Sequence, residues 1–422
     1  MPVFNRRQFV SGAGTLAFAS GLSLPAIAQA KPKVIVVGGG PGGATVAKYV
    51  AREGGVDVTL VEPAKQFVTC FHSNLYLGGF RSWESLTHSY STLASKYGVR
   101  LVHQAAQSID RPKRTVRLMD GSVHSYDRLV LAPGIDIRFD SVPGYSETVS
   151  EILPHAWKAG PQTQLLKRQL DAVPDGGVIV MIAPPNPYRC PPGPYERVSM
   201  MAHVLKAKKH TKSRIIVLDP KDTFSKQGLF QEGWERHYPG MVEWQDPKMH
   251  GGIKGVDAKT MTVMTDLADY KANLINVIPA QMAGRIARDA GLANKSGFCP
   301  IDPTNMRSTV DADIYVVGDA CIPGDMPKSG FSANSQAKVA AMMIRGELVK
   351  ARTFPARYTN TCWSLIETDD TVKVGGRYEA KDGKIAAVET FISKTGESPE
   401  LRRQTQQENM GWYAGITTDV FG

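Results

Sequence analysis

The most reactive side chains in this sequence belong to its five cysteines, because a thiolate can attack an electrophile, bind a metal or form a disulfide. No two cysteines have the C-x-x-C spacing of zinc ribbons and dithiol redox motifs. No C-x-x-C-H segment occurs, so the chain has no attachment motif for a c-type haem of its own. The C-x-x-x-x-C motif of disulfide reductases is also absent, because Leu75 stands five residues after the first cysteine. The cysteines are Cys70, Cys190, Cys299, Cys321 and Cys362.

A glycine-rich segment has the spacing of a dinucleotide-binding loop. Gly38, Gly40 and Gly43 fit G-x-G-x-x-G directly after the β-branched run 33–37. Glycines at these positions let the backbone approach a pyrophosphate, whose charge the N-terminus of the following helix attracts. Glu62 ends the next predicted strand, where an acidic residue accepts hydrogen bonds from a ribose hydroxyl. The segment therefore predicts a dinucleotide site rather than a turn without a ligand.

Two later segments favour FAD as that dinucleotide. Residues 126–134 are a hydrophobic run that ends at Gly134, and residues 313–320 contain Gly318 and Asp319. Both segments resemble motifs of flavoproteins with two dinucleotide-binding domains, and this resemblance implies that Asp319 binds a ribityl hydroxyl. A predicted helix over 331–345 would direct its positive N-terminal dipole at the flavin.

A second β-α-β unit is predicted downstream, but its loop is unsuited to a nucleotide. Strands over 177–182 and 214–219 flank a helix over 195–209. The loop 183–194 between them is rich in proline and contains Cys190. Prolines have no N–H group, so this loop cannot surround a pyrophosphate with amides. We therefore expect no NAD(P) binding.

These elements predict an α/β fold with two Rossmann-like, three-layer domains of the glutathione-reductase type. The FAD domain is split around the second domain, and a smaller α+β domain ends the chain. In that last domain, short strands are predicted with turns at Gly375–Gly376 and Asp382–Gly383. The predicted divisions are 1–30 as a signal peptide, 31–150 and 276–350 as the FAD domain, 151–275 as the second Rossmann-like domain, and 351–422 as the C-terminal domain.

The first thirty residues have the features of a twin-arginine export signal. Arg6 and Arg7 precede a weakly apolar stretch without acidic residues, and the stretch ends in the small-x-small pattern 28–30. The alternative, a short core helix, explains these features less well. We expect cleavage after Ala30, a periplasmic location, and a cofactor inserted before export, because this route carries folded proteins.

Composition is that of a globular protein, with 42% hydrophobic and 21% charged residues. The net charge of +10 becomes +8 without the two signal arginines (48 − 40). No basic tract stands out, so nucleic acid is not an expected partner. The nine histidines form no metal-binding motif, and the C-terminal region lacks the apolar face of a membrane-docking helix, so neither a metal nor membrane insertion is expected.

Four segments together resemble one family, the flavoprotein subunits of flavocytochrome c sulfide dehydrogenases, which are related to sulfide:quinone reductases. The similarity runs from about residue 33 to the end of the chain. The loop around Cys190 and the segment around Lys328 are specific to that group. The segments are 67–70, 189–196, 327–334 and 360–362.

The resemblance implies roles for three cysteines. Cys70 would carry FAD covalently, as a thioether to the acidic 8α-methyl group of the flavin. Cys190 and Cys362 would form a redox-active disulfide, although spacing alone leaves the pairing of the four remaining cysteines open among three arrangements. Hydrosulfide would attack one sulfur to give a persulfide, and the released thiolate, which we expect to be Cys362, would pass electrons to FAD. A static disulfide is the alternative.

Other roles follow from the same resemblance. Glu196 would move protons near the disulfide, or would be an ordinary first-turn helix acid. Lys328 and Trp412 would contact the flavin, and core packing is the alternative for Trp412. Cys299 and Cys321 would pair or, as we prefer, remain buried thiols.

The expected activity is oxidation of hydrosulfide to sulfur or polysulfide, with electrons passing to a c-type cytochrome subunit in a heterodimer. Haem would then be present only on the partner. The alternatives are a sulfide:quinone reductase and an accessory subunit of a periplasmic thiosulfate-oxidising system. The proline-rich loop and the missing C-x-x-x-x-C motif disfavour an NAD(P)H-dependent reductase.

Overall fold

A computed structural model describes residues 30–422, so the predicted export signal lies outside the described residues except for Ala30. No described helix is long and apolar enough to cross a membrane. The strands are β1 (Lys33–Val37), β2 (Asp57–Val61), β3 (Gln66–Val68), β4 (Thr87–Ser89), β5 (Arg100–Val102), β6 (Ala106–Asp110), β7 (Thr115–Leu118), β8 (Val123–Ser125), β9 (Arg128–Leu131), β10 (Ile135–Ile137), β11 (Val178–Ile182), β12 (Arg214–Leu218), β13 (Val242–Gln245), β14 (Ile253–Asp257), β15 (Thr262–Thr265), β16 (Asp269–Lys271), β17 (Leu274–Val277), β18 (Gln281–Ala283), β19 (Ile314–Val316), β20 (Arg357–Glu367), β21 (Asp370–Lys381) and β22 (Lys384–Ile392). The helices are α1 (Pro41–Ala51), α2 (Ser73–Leu77), α3 (Ser91–Tyr97), α4 (Glu147–Ser150), α5 (Pro161–Ala172), α6 (Gly193–Ala207), α7 (Gln227–His237), α8 (Pro247–His250), α9 (Arg285–Asp289), α10 (Gly330–Val349) and α11 (Pro399–Phe421).

The first sheet has five parallel strands in the order β19–β9–β1–β2–β5. Its central strand β1 is a run of Val and Ile, and four of its five residues are buried, as expected for a strand covered on both faces. Helices α1 and α10 pack against each other beside the sheet. Because β19 joins a sheet that begins at residue 33, the chain leaves this domain and returns to it. The predicted α/β fold with a split FAD domain is confirmed.

The second sheet is also parallel, in the order β13–β12–β11–β17. The helix between β11 and β12 begins at Gly193, two residues before its predicted start. The antiparallel strands β14–β16 follow, and Val256 and Val263 from them share a core with Val180 of β11. This second Rossmann-like unit carries the proline-rich loop at the carboxyl end of β11.

The last sheet is antiparallel, with the order β20–β21–β22. The predicted turn at Gly375–Gly376 is wrong, because β21 runs straight through both residues. A Cβ atom at Gly375 would lie 2.5 Å from the Phe391 ring, so glycine serves close packing here and not a change of direction. The predicted turn at Asp382–Gly383 is confirmed, since both residues have positive φ (52° and 73°) between β21 and β22.

The C-terminal helix α11 ends against helix α1 of the FAD domain. Lys48 of α1 donates from Nζ to the carbonyl oxygens of Thr418, Asp419 and Gly422, at 3.2, 2.8 and 2.7 Å. The last carbonyl groups of a helix lack intrahelical donors, although the Thr418 oxygen here also accepts from the Gly422 N–H at 2.9 Å. A positive charge at this end also complements the helix dipole. Asn334 of α10 donates to the Asp419 carboxylate at 2.8 Å, so α1, α10 and α11 are joined at one point.

Replacing Lys48 by Met should lower the free energy of unfolding by about 2 kcal/mol, because several helix carbonyls lose a charged donor. Urea denaturation followed by circular dichroism measures the change. Lys65→Met is the matched control, since Lys65 is exposed, and it should change stability by less than about 0.5 kcal/mol. Equal stability of the two variants would contradict this account of the junction.

Candidate active site

Two neighbouring cavities have four lining residues in common. The first cavity lies beside the proline-rich loop and β20, and the second lies over the glycine-rich loop. Cys70, Arg189, Ser329 and Gly330 line both. The two cavities therefore adjoin, and we call them together the channel, with the second cavity as its nucleotide end and the first as its cysteine end.

The nucleotide end is formed by the loop between β1 and α1. Gly38 has φ of +101°, and a Cβ atom on it would lie 2.3 Å from the carbonyl oxygen of Ala132. A Cβ atom on Gly43 would lie 1.8 Å from the carbonyl oxygen of Gly38. Gly40 is the N-cap residue of α1, and no side chain caps this helix, so its N-terminal amides face the cavity. This is the geometry that a pyrophosphate requires.

Glu62 lies on the wall of the same cavity at the end of β2. Its two carboxylate oxygens accept hydrogen bonds from the backbone N–H groups of Gly39 and Ala64, at 2.7 and 2.9 Å. These bonds hold the carboxylate beside the glycine loop, and each oxygen keeps a further lone pair for a ribose hydroxyl.

Gly134, Gly318 and Asp319 border the middle of the channel. The two glycines have positive φ, of 68° and 76°. Asp319 accepts a bond from Arg189 Nη1 to Oδ2 at 3.4 Å, whereas its buried Oδ1 has no hydrogen-bond partner among the described residues. A buried carboxylate oxygen without a donor is costly, so this atom fits a ligand hydroxyl such as the ribityl chain of FAD. The residues present therefore fit this cofactor.

Cys70 lies where the two cavities meet, in the loop between β3 and α2. The hydroxyl of Ser73 donates to the Cys70 carbonyl oxygen at 2.6 Å and holds this loop. Burial raises the pKa of the Cys70 thiol, and the positive charge of Arg189 opposes that rise. Cys70 thus lies at the boundary between the nucleotide end and the cysteine end of the channel.

Cys190 and Cys362 both lie on the wall of the first cavity, and their thiols are close enough for each to shift the pKa of the other. The structure therefore brings together the two cysteines that the resemblance pairs, here as free thiols. Cys190 precedes α6 and has φ of +87°, and its N–H donates to the Lys328 carbonyl oxygen at 2.9 Å. Cys362 is buried in the middle of β20. The contact with Cys362 raises the pKa of Cys190, and the same contact lowers the pKa of Cys362.

Glu196 lies in the first turn of α6, buried at the wall of the same cavity. Its Oε2 accepts from Asn74 Nδ2 at 2.8 Å, and its Oε1 accepts from the N–H of Leu365 in β20 at 3.0 Å. Burial raises the pKa of the carboxyl group, although both donors oppose the rise. A first-turn acid in an ordinary surface helix would be exposed, and this one is not.

Three family models match the chain. The central domain of the sulfide dehydrogenase (flavocytochrome c) flavoprotein chain matches residues 163–279, and the flavin-binding domain of flavocytochrome c sulphide dehydrogenase matches 354–421. The pyridine nucleotide-disulphide oxidoreductase model matches 32–172. The sulfide dehydrogenase flavoprotein chain of Chlorobaculum thiosulfatiphilum is 56% identical over 43 residues, which cover 10% of this chain and 90% of that sequence. This chain belongs to the flavocytochrome c sulfide dehydrogenase flavoprotein family.

Members of a related family align over more of the chain. The mitochondrial sulfide:quinone oxidoreductase of Schizosaccharomyces pombe is 22% identical over 341 residues, 72% of each sequence. The crystal structure of the sulfide:quinone oxidoreductase of Aquifex aeolicus superposes with a TM-score of 0.74 over 92% of both chains, at 16% identity, and shares the fold. This member of the sulfide dehydrogenase family is therefore an oxidoreductase with a flavin-binding domain.

The other predicted cofactor residues lie at different distances from the channel. Trp412 lines the first cavity and packs with Phe71, Phe331 and Trp363, at ring-centroid distances of 5.6, 6.0 and 5.3 Å. Lys328 does not line either cavity. Its ammonium group donates to the carbonyl oxygens of Asp319 and Cys321 and lies 3.9 Å from the centroid of the Phe298 ring. Lys328 thus holds the loop that carries Asp319.

Cys299 and Cys321 face each other in an isolated parallel bridge and are fully buried free cysteines. Neither lines the two cavities. No group of His, Cys, Asp or Glu within residues 30–422 could hold a metal ion.

Several residues of the site were not predicted from the sequence. Arg189 and Asn360 lie inside the segments that resemble the family, one and two residues from Cys190 and Cys362. Their closeness to these cysteines could have identified them as site residues. Asn74 and Lys226 carry no such signal, because only the folded chain brings them to Glu196 and to β20.

The buried carboxyl group of Glu196 should remain protonated at pH values where exposed glutamates have ionised, because burial raises its pKa. Infrared difference spectra recorded as the pH is raised above the range in which exposed glutamates ionise should show loss of a protonated C=O band. Glu196→Gln should remove this band, and Glu84→Gln, at an exposed position, should leave it. A band that survives in Glu196→Gln would assign the proton to another group.

Proposed function

We propose that this protein is an exported, FAD-dependent sulfide dehydrogenase, which oxidises hydrosulfide to sulfur or polysulfide and passes the electrons to a c-type cytochrome subunit. One observation carries the proposal: two cysteines from distant elements lie together on the wall of a cavity that adjoins a second cavity lined by the glycine-rich loop. Family membership supports hydrosulfide as the reductant.

In the oxidised protein, Cys190 and Cys362 form a disulfide. Hydrosulfide attacks the sulfur of Cys190, the S–S bond breaks, and Cys362 leaves as a thiolate that takes the bonding electron pair. A second hydrosulfide removes the outer sulfur of the Cys190 persulfide as hydrodisulfide and leaves a thiol. Glu62, Cys70 and Asp319 would hold FAD, which would supply the two-electron acceptor that lets this thiol–thiolate pair return to the disulfide with release of its proton.

Glu196 holds a proton near these sulfurs. Its buried carboxyl group, with a raised pKa, can protonate the persulfide sulfur that leaves or take up the proton of the Cys190 thiol. Asn74 orients the carboxyl, since its amide donates to Glu196 Oε2 and to the Gly193 carbonyl oxygen. If this role is correct, Glu196→Gln alters the pH dependence of flavin reduction by sulfide, and an unchanged profile would leave Glu196 a structural acid.

The second Rossmann-like domain supports the absence of a nicotinamide cofactor. Asp219, at the position where such domains bind a ribose, accepts from Tyr195 and Trp244 at 2.5 and 3.0 Å and pairs with Lys221 at 2.6 Å. Lys221 also donates to the carbonyl oxygen of Pro184 in the proline-rich loop at 2.6 Å. With its carboxylate satisfied and its loop poor in amides, this domain offers a nucleotide no pyrophosphate site.

The location and the acceptor are inferred from the sequence. The twin-arginine pattern supports export to the periplasm, and the lack of a C-x-x-C-H motif supports a partner as the carrier of haem. The name of the Chlorobaculum thiosulfatiphilum relative supports a flavocytochrome c complex and thus a cytochrome subunit as that partner.

FAD should be attached to Cys70 as a thioether. After acid precipitation, yellow colour should remain with the protein pellet, and the peptide that contains Cys70 should carry the mass of the flavin nucleotide. Cys70→Ser should release all flavin into the supernatant, whereas Cys299→Ser, which alters a cysteine outside the channel, should retain it. Release of flavin from the unaltered protein would contradict covalent attachment.

Anaerobic titration should bleach the flavin with sulfide but not with NADH. Cys362→Ser should abolish reduction by sulfide, because no disulfide can form, while flavin reduction by dithionite persists. Cys321→Ser is the control, since Cys321 is buried away from both cavities. Full sulfide-dependent reduction in Cys362→Ser, or bleaching by NADH in the unaltered protein, would defeat the proposed function.

A further inference from the structure

The amide side chain of Asn360 touches one of the two reacting sulfurs. Asn360 and Cys362 are two residues apart on β20, so their side chains lie on the same face of the strand. Nδ2 of Asn360 donates to Sγ of Cys362 at 3.5 Å. Asn360 is 2% exposed, so water does not compete for this contact.

The orientation of this amide is set from its other end. Oδ1 of Asn360 accepts hydrogen bonds from the hydroxyls of Ser329 and Ser332, at 2.6 and 3.2 Å. Ser329 is in turn held as the N-cap of α10, because its hydroxyl accepts from the Ser332 N–H at 3.0 Å. An amide has one acceptor end and one donor end. With the oxygen bound to two serines, the N–H₂ group is the end of the amide nearer to the sulfur of Cys362, at 3.5 Å. The neutral thiol can also donate to Oδ1, at 3.9 Å, but a thiolate can only accept from the N–H₂ group.

The charges around the pair differ between its two sulfurs. Lys226, 5% exposed, donates from Nζ to the carbonyl oxygen of Cys362 at 3.1 Å and to the hydroxyl of Ser364 at 2.8 Å. Its positive charge therefore lies behind the strand that carries Cys362. Cations also lie near Cys190, because Arg189 is its neighbour in the chain and Arg197 lies on the wall of the same cavity. The amide donor of Asn360 is therefore the feature that distinguishes Cys362. A negative charge on Glu196, when this residue ionises, would oppose a thiolate at Cys190. In agreement, the pKa of Cys362 is lowered by the contacts with Cys190 and Asn360, whereas that of Cys190 is raised.

We propose that Asn360 is a catalytic residue whose amide N–H stabilises the thiolate of Cys362, so that the reduced pair carries its negative charge on Cys362 and its proton on Cys190. This inference rests on the proposed function, since it assigns an asymmetry to the same two cysteines. The thiol with the lower pKa is the better leaving group in disulfide exchange. Hydrosulfide consequently bonds to Cys190, the S–S bond breaks, and the electron pair stays on the sulfur that Asn360 stabilises.

Asn360→Asp tests the inference, because the carboxylate still accepts from both serines but offers the sulfur a negative oxygen in place of an N–H donor. The flavin-loaded protein is reduced with excess phosphine, without sulfide, and the ultraviolet absorbance of the thiolate is followed against pH. The contribution of Cys362 is obtained by subtracting the spectrum of Cys362→Ser. The midpoint should rise in Asn360→Asp by about one to two pH units, a 10- to 100-fold loss of thiolate stability, the size expected for a hydrogen bond to a charged group.

Asn294→Asp is the matched control, since it makes the same chemical change in an exposed turn, and its midpoint should equal that of the unaltered protein. Ser332→Ala is a second variant, which keeps Asn360 but removes one of the bonds that orient it, and its midpoint should rise by a smaller amount. The inference is overturned if the thiolate titration of Asn360→Asp has the same midpoint as that of the control. It is also overturned if Cys362→Ser shows the same thiolate titration as the unaltered protein, because the thiolate would then belong to another cysteine. The proposed function fails instead if sulfide still reduces the flavin of Cys362→Ser. The thiolate titration is done without sulfide, so the two failures can be told apart.

Discussion

The contact between β20 and the first turn of α6 is the interaction on which the rest of the site depends. The N–H of Leu365 donates to Oε1 of Glu196, and this bond joins the C-terminal sheet to the second Rossmann-like domain. Cys362 lies three residues before Leu365, and Cys190 lies in the turn that leads into α6. Because both cysteines are close in sequence to the joined positions, this contact keeps the two segments that carry their sulfurs side by side. The chemistry of the pair therefore depends on a bond between domains.

Several charged groups are buried around the same cavity, and Arg197 shows how the fold stabilises them. A buried charge without partners is costly, and each of these groups has several. Arg197 donates to the carbonyl oxygens of His155 and Ala156 and to the side chains of Asn74 and Asn276. The partners come from both Rossmann-like domains, so the hydrogen bonds that make the charges tolerable also fix the domains to each other. A rigid wall results on the side of the cavity that faces the cysteine pair.

Sequence patterns predicted the parts of the fold that are encoded locally. The strand β1, the glycine loop and helix α1 form one continuous motif, and the structure has all three at the expected places. The turn at Gly375–Gly376 was wrong because a glycine pair has two physical uses, reversal of the chain and close approach of strands, and the sequence does not distinguish them. Helix α11 was missed, although Ser398 and Pro399 form an ordinary N-terminal signal, because its mixed polar and apolar residues conceal the helical period.

The sequence predicted those residues of the candidate site that belong to a motif with a recognisable spacing, such as the glycine-rich loop. Cys190 and Cys362 could be paired only through a family resemblance, since nothing in their spacing brings them together. Asn360 and Lys226 act on Cys362 through contacts that depend on how β20 packs against α10 and α7, which no local pattern records.

The bond of Lys48 to the last turn of α11 has a consequence for the order in which the molecule matures. Trp412 on the wall of the channel and the carbonyl groups bound by Lys48 lie far along the chain from the glycine loop, and the bonds of Lys48 join residues 370 to 374 positions apart. Until these distant segments meet, the channel lacks one part of its wall and helix α1 lacks its support from α11. Tight retention of a cofactor is therefore a late event in folding, which follows the docking of α11 and not the formation of the glycine loop alone.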